Sequence, residues 1–261
     1  MIKTRMTKWL IAAGLIAASA AAQAGLSSTW TMTNDYDFRG VTQTAHNAAL
    51  QGSVDYGWSN GFSVGAWLSN INFANAYHEK MELDVYGGYS KSLDNGFGFT
   101  ANGIYYTYFG ADYGPGLPNI NFWEVNAGVN YKTLSVKYWY AGDFGHFQDI
   151  FKLASGGAID SSKAWYIEVN YSVPLPKSIT LGLHAGFSGG DYWDNLAKDP
   201  VTLVQGPSLE YQDYSVGFSK TFGDFTVSAK YVYPQVKDQY RVTNGAFAND
   251  RRAIISVATT F

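Results

Sequence analysis

From Gly25 to the C-terminus, apolar and polar side chains alternate residue by residue in about twelve separate runs. That period of two belongs to β-strands, because a helix would repeat every three or four residues. The first run sets Trp30, Met32, Tyr36 and Phe38 against Thr31, Thr33, Asp35, Asp37 and Arg39. Later ones set Leu50, Val54 and Tyr56 against Gln51, Ser53 and Asp55, and Leu83, Val85 and Tyr89 against Glu82, Asp84 and Tyr86. Trp123, Val125 and Ala127 oppose Glu124 and Asn126, and the final run sets Ala253, Ile255, Val257 and Phe261 against Arg252, Ser256 and Thr260. Each run is close to the ~10 residues that a tilted strand needs to cross a bilayer.

The connections sort into two kinds. Tight turns fall near 59–61, 93–96, 132–133, 174–178 and 223–224, and Ser59-Asn60-Gly61 and Asp94-Asn95-Gly96 have the chemistry of hairpin turns. Long connections fall near 40–47, 70–80, 110–121, 142–162, 189–209 and 234–250. The two kinds alternate strictly. The expectation is an all-β fold: a transmembrane antiparallel up-and-down barrel, with tight turns and termini in the periplasm and long loops outside. An even strand count closes the sheet and leaves no edge facing lipid.

Composition agrees with strands that meet lipid. Aromatic residues make up 17% of the chain and charged ones 15%, against roughly 25% charged in soluble domains. The aromatics gather at strand ends. Trp58, Phe62, Phe97, Tyr131 and Phe225 flank tight turns, while Tyr105, Trp123, Tyr140, Trp165 and Tyr233 lie toward the long loops. Two such rows read as interfacial girdles. With no cysteine, disulfides and thiolate metal sites are excluded. Gly61-Phe62-Ser63-Val64-Gly65 and Gly186-Phe187-Ser188-Gly189-Gly190 match a hydrolase elbow in letters only. The first runs from turn into strand and the second from strand into a loop without a helical pattern, whereas the elbow joins strand to helix. His184 shares a face with Ser188 but stands about 13 Å along the strand from it. No enzyme and no cofactor is expected.

Residues 1–24 read as a signal peptide, with Lys3, Arg5 and Lys8 ahead of an apolar run and Ala22-Gln23-Ala24 as cleavage site. Residues 25–261 then form the barrel. Loss of three cations takes the net charge from −3 to −6, and an acidic chain without a basic stripe is not a nucleic-acid binder.

Asn34-Asp35-Tyr36-Asp37-Phe38-Arg39-Gly40, Ala49-Leu50-Gln51-Gly52, Val64-Gly65-Ala66-Trp67-Leu68-Ser69-Asn70 and Glu82-Leu83-Asp84-Val85-Tyr86-Gly87-Gly88-Tyr89 resemble segments of the proteobacterial TorF-type porins. The resemblance spans the mature chain, is densest over 28–90, and implies an outer-membrane location and a pore without naming a solute. It also implies that Phe261 presents the C-terminal aromatic by which barrel-assembly machinery recognises such chains. The expected surroundings are outer-membrane lipid and lipopolysaccharide.

The polar face supplies the candidate site. Asp35, Asp37, Asp55, Glu82, Asp84, Glu124, Glu168 and Asp213 are its acids; Arg39, Lys137, Lys230 and Arg252 are its bases, and His184 is the one strand histidine. Charges confined to one face of an otherwise apolar barrel line a hydrated or mutually paired lumen. Inward Trp67, Tyr86, Tyr106, Trp139 and Tyr166 narrow it. Pairing across the 174–178 turn sets Glu168 opposite His184, and closure of strand one on strand twelve brings Arg252 near Asp37 and Arg39. The long loops carry about −5 of the −6 charge, Asp112 included. The function expected is a narrow passive pore for small hydrophilic solutes with a modest cation preference. The alternatives are a structural or surface-binding barrel with a sealed lumen, and a barrel-embedded lipid-modifying enzyme. The enzyme would need an outward Ser and His near the upper girdle, and no such pair occurs.

Overall fold

The computed structural model describes residues 24–73, 79–110, 119–199 and 202–261. The expected signal peptide (apart from Ala24), His78 and Asp112 lie outside the described residues. Twelve long strands close into one antiparallel barrel. They are β1 (Gly25–Thr33), β4 (Ala49–Gly57), β5 (Phe62–Asn70), β6 (Met81–Ser92), β7 (Phe97–Phe109), β8 (Phe122–Tyr131), β9 (Leu134–Ala141), β10 (Ala164–Leu175), β11 (Ile179–Gly189), β12 (Gln212–Phe222), β13 (Phe225–Gln235) and β14 (Arg252–Thr260). Each pairs with its sequence neighbour, and β1 pairs with β14 from Thr29↔Thr260 to Thr33↔Ser256 to close the ring.

Side chains alternate across the wall with the apolar ones outside. Along β8, Phe122, Glu124 and Asn126 are buried while Trp123, Val125 and Ala127 are exposed. Along β14, Arg252, Ile254 and Ser256 point in and Ala253, Ile255 and Val257 point out. A water-soluble barrel reverses this arrangement, because exposing Met32 to 67% and Ile255 to 57% forfeits the hydrophobic gain of burial. Here the exposed apolar belt has lipid as its solvent.

A second, two-stranded ribbon lies apart from the barrel sheet: β2 (Asp37–Phe38) pairs with β3 (Val41–Thr42). This corrects the reading of the first run. Strand one does not continue to Arg39; β1 ends at Thr33, and 34–48 turn into the barrel instead of forming an external loop at 40–47. Tyr36, read as outward, is 2% exposed, and Phe38 packs edge-on against Tyr106 inside. The cause is Asn34. Its backbone N–H donates to the Ile255 carbonyl at 3.1 Å, its Oδ1 accepts from the Ile255 N–H at 2.7 Å, and its Nδ2 donates to the Ala253 carbonyl at 3.2 Å. The amide side chain thus stands in for the next stretch of ladder, and the main chain can leave the wall. Asn70 does the same where the chain returns, accepting from the Leu50 N–H at 2.7 Å and donating to the Ala48 carbonyl at 3.1 Å.

Two short helices sit in the long connections, α1 (Phe147–Ala154) between β9 and β10 and α2 (Asp191–Leu196) after β11. The sequence reading treated both stretches as loop. Phe151, Ile159, Ala164 and Tyr192 form a small apolar cluster there, joined to the lumen by Phe144, which meets Phe122 at 4.9 Å between ring centroids.

Candidate functional site in the lumen

The ribbon is a turn held by fixed charges. Arg39 and Gly40 at its tip both have positive φ, 52° and 83°, as a tight two-residue hairpin turn requires. A Cβ on Gly40 would stand 2.8 Å from the Asp213 Cβ on the barrel wall, so the tip fits only without a side chain there. The Arg39 guanidinium forms a two-pronged pair with Glu124 on β8, Nη1–Oε1 at 2.9 Å and Nη2–Oε2 at 2.8 Å. It also lies over the rings of Phe38, Trp139 and Tyr166, the last 4.4 Å from centroid to Cζ. Tyr106 donates its hydroxyl to Glu124 at 2.9 Å, and Tyr211 donates to the Arg39 carbonyl at 2.8 Å.

The opposite side of the ribbon is tied to β13 and β14. Arg252 Nε donates to Asp35 at 2.5 Å, its Nη2 pairs with Asp37, and its Nη1 donates to the Gly40 carbonyl at 2.9 Å. Lys230 reaches Asp37 at 2.9 Å. Asp35 also accepts the hydroxyls of Thr42 and Thr44 and faces His46 at 3.5 Å. Burial disfavours the Asp37 carboxylate, yet the charges of Lys230 and Arg252 outweigh it and hold its pKa below the ordinary value. Burial likewise opposes the Arg39 charge, and Glu124 more than restores it.

Closure of strand one on strand twelve does bring Arg252 to Asp37, as the sequence suggests. The Glu168–His184 pairing is corrected. His184 is opposite Asn170, and Glu168 is opposite Gly186. The hairpin strands run on to Leu175↔Ile179, two residues deeper into the turn than the flanking prolines indicate. Pro174 is tolerated in β10 because β9 stops pairing at Tyr171↔Leu134, leaving no ladder partner for its missing N–H on that side. His184 instead pairs with Asp213 at 2.9 Å, and its other nitrogen faces Asn170 Oδ1 at 2.7 Å. Glu168 sits opposite Lys137, 3.7 Å away, and accepts from Trp139 Nε1 at 3.2 Å.

Three carboxylates in the lumen have no cationic partner among the described residues: Asp55, Glu82 and Asp84. Asp55 accepts from the hydroxyls of Tyr86 and Ser53. Between ribbon and wall lies a cavity of about 40 Å³ bounded by Arg39, Trp139, Tyr166, His184 and Lys230, room for a few waters. Tyr106, Trp139 and Tyr166 line it and form one buried cluster with Tyr86, and Trp67 packs against that cluster. Ser188, the elbow-like serine, is followed by α2 rather than by a plain loop, but it sits within β11 and faces the lumen, not at the strained apex of a turn. Sequence reasoning missed the ribbon itself; the signal was the Asn34-Asp35 pair, two strand breakers inside an otherwise regular run.

A family model described as a bacterial protein of unknown function (Gcw_chp) matches residues 17–261. The chain belongs to this family. No curated protein matches it by sequence. Among solved structures it is similar to the NanC porin, at TM-score 0.53 and 11% identity over 90% of this chain and 99% of that one. It is also similar to the KdgM porin in complex with disordered oligogalacturonate, at TM-score 0.52 and 10% identity over 90% and 98%. At such identities the likeness is one of fold: a twelve-stranded porin-type barrel.

Proposed function

We propose that the chain is an outer-membrane porin of a Gram-negative bacterium, a narrow passive pore for small hydrophilic solutes with a modest preference for cations. The observation that carries this reading is the inverted wall, with charged and hydroxyl side chains facing a closed interior and apolar ones facing out. The twelve-stranded barrel shared with porins supports it, and the TorF-type resemblance, the lipid and lipopolysaccharide surroundings and recognition of the exposed Phe261 by assembly machinery belong to the same reading. The reading assigns selectivity to Asp35, Asp37, Arg39, Asp55, Glu82, Asp84, Glu124, Lys137, Glu168, His184, Lys230 and Arg252. Most of these cancel in pairs, so Asp55, Glu82 and Asp84 set the residual sign. Oligogalacturonate, with which the KdgM porin forms a complex, is a chain of carboxylates; an acid-rich lumen repels such a solute and concentrates cations.

Single-channel recording of the purified protein in planar bilayers, in the presence of a chelator, tests the pore. Discrete conductance steps are expected, with reversal potentials showing cation preference that grows as salt falls, since screening reaches only about 10 Å at 0.1 M. Glu82→Gln with Asp84→Asn reduces that preference. A second reading, a barrel whose lumen the ribbon seals, is favoured by the burial of Tyr36 and Glu124 at the ribbon–wall contact. It predicts silence in the wild type and conduction only once the ribbon is loosened.

A further inference from the structure

Glu82 and Asp84 are successive inward residues of β6, about 7 Å apart along the strand. Glu82 is 2% and Asp84 0% exposed. Glu82 lies within hydrogen-bond reach of Asp84, of Tyr36 and, at 3.5 Å, of the Tyr108 hydroxyl, and among the described residues no base reaches either carboxyl. Facing them is Tyr36 of the inward segment, itself 2% exposed, so three buried oxygen-bearing side chains converge on one spot with no base among them. By contrast Asp35, Asp37, Glu124, Glu168 and Asp213 each have a basic partner, and Asp55 has the hydroxyls of Tyr86 and Ser53. Two neighbouring buried anions without counter-charge are costly, so protons or a cation must neutralise them.

We propose that Glu82, Asp84 and the Tyr36 phenol oxygen hold a hard divalent cation that fastens the inward segment to β6. An all-oxygen ligand set suits calcium or magnesium, and calcium accepts irregular geometry at 2.3–2.6 Å. Among the described residues no three acidic or histidine side chains form a self-contained metal cage. The site therefore needs its third oxygen from the ribbon segment, which is what makes it a fastening. A shared proton would cancel one of the two charges; a divalent ion cancels both. Trp67 lies beside the spot, opposite Asp84 in the β5–β6 ladder and 5.3 Å from Tyr36 between ring centroids.

The test is equilibrium binding of calcium to chelator-stripped, folded protein in detergent, with terbium luminescence sensitised by Tyr36 and Trp67 as a second readout. One ion per barrel is expected, lost in the isosteric double variant Glu82→Gln/Asp84→Asn and weakened about tenfold in Tyr36→Phe, which keeps the ring and the fold. Asp191→Asn, in the acidic outer-loop pocket shared with Asp160 and Asp194, is expected to change nothing. The proposal is overturned if stripped wild type binds no calcium, if Tyr36→Phe binds as tightly as wild type, or if binding disappears in Asp191→Asn while persisting in the double variant. The readout is independent of conductance, so its failure and the failure of the porin reading are separate results.

Discussion

Arg39 on the inward ribbon and Glu124 on β8 meet through two parallel N–H···O contacts of 2.9 and 2.8 Å, with Glu124 only 1% exposed. Breaking such a buried pair from one side costs about 3–5 kcal/mol when the orphaned charge stays buried. The ribbon is not part of the barrel ladder, so loosening it lets water reach Glu124 and spares the wall. Arg39→Ala is therefore expected to raise open-channel conductance at least severalfold while barrel unfolding temperature moves by only a few degrees. A large loss of heat stability with unaltered conductance would assign Arg39 to scaffolding.

Gly40 gives an independent handle on the same ribbon. Alanine there adds a methyl group 2.8 Å from the Asp213 Cβ in a left-handed backbone conformation, a strain of roughly 1–2 kcal/mol before the clash is counted. Gly40→Ala should expose 34–48 to limited proteolysis and mimic Arg39→Ala in conductance. Protection equal to wild type would show that the tip is not wedged against the wall.

Acid should act through Asp37. Its folded pKa lies below its unfolded value of about 3.9, so its contribution is complete above that value and disappears as pH falls through the folded one. Proteolytic sensitivity of the ribbon is expected to rise below about pH 4 and to stay flat between pH 5 and 8. In Asp37→Asn the acid step should shrink and the neutral baseline rise. An acid step of full size in that variant points to another carboxylate.

Orientation is open to a labelling test, because the chain has no cysteine of its own. A single cysteine in place of Asp160, in the connection carrying α1, should react with an impermeant reagent on whole cells. One in place of Asn60, in the β4–β5 turn, should react only after the outer membrane is breached. Equal or reversed labelling sinks the assignment of long loops to the outside.

How much of this was legible in sequence follows from what each feature depends on. Strand positions, the tight turns and the closure that sets Arg252 beside Asp37 rest on period two and connection length, and both are local. The Glu168–His184 pairing failed because register depends on how far the strands run into a turn, and Pro174 looked like a boundary while sitting inside β10. The inward ribbon failed for a different reason. Tyr36 and Phe38 keep the alternation of a strand whether they face lipid or lumen, since aromatic side chains are buried inside the barrel beside the ribbon as well as exposed on its outer surface. The carboxylates were found as a face, but which of them keep a cationic partner is decided by contacts between different strands and the ribbon, 29 positions apart for His184 with Asp213 and 85 for Arg39 with Glu124.

Asn34 and Asn70 carry one more consequence. Because their side-chain amides complete the wall's hydrogen bonding where the chain departs and returns, the segment between Asn34 and Ala49 contributes almost nothing to the seam it leaves. It behaves as a cassette. Changing its length or charge would alter what lines the interior while the hydrogen-bonded cylinder stays as it is.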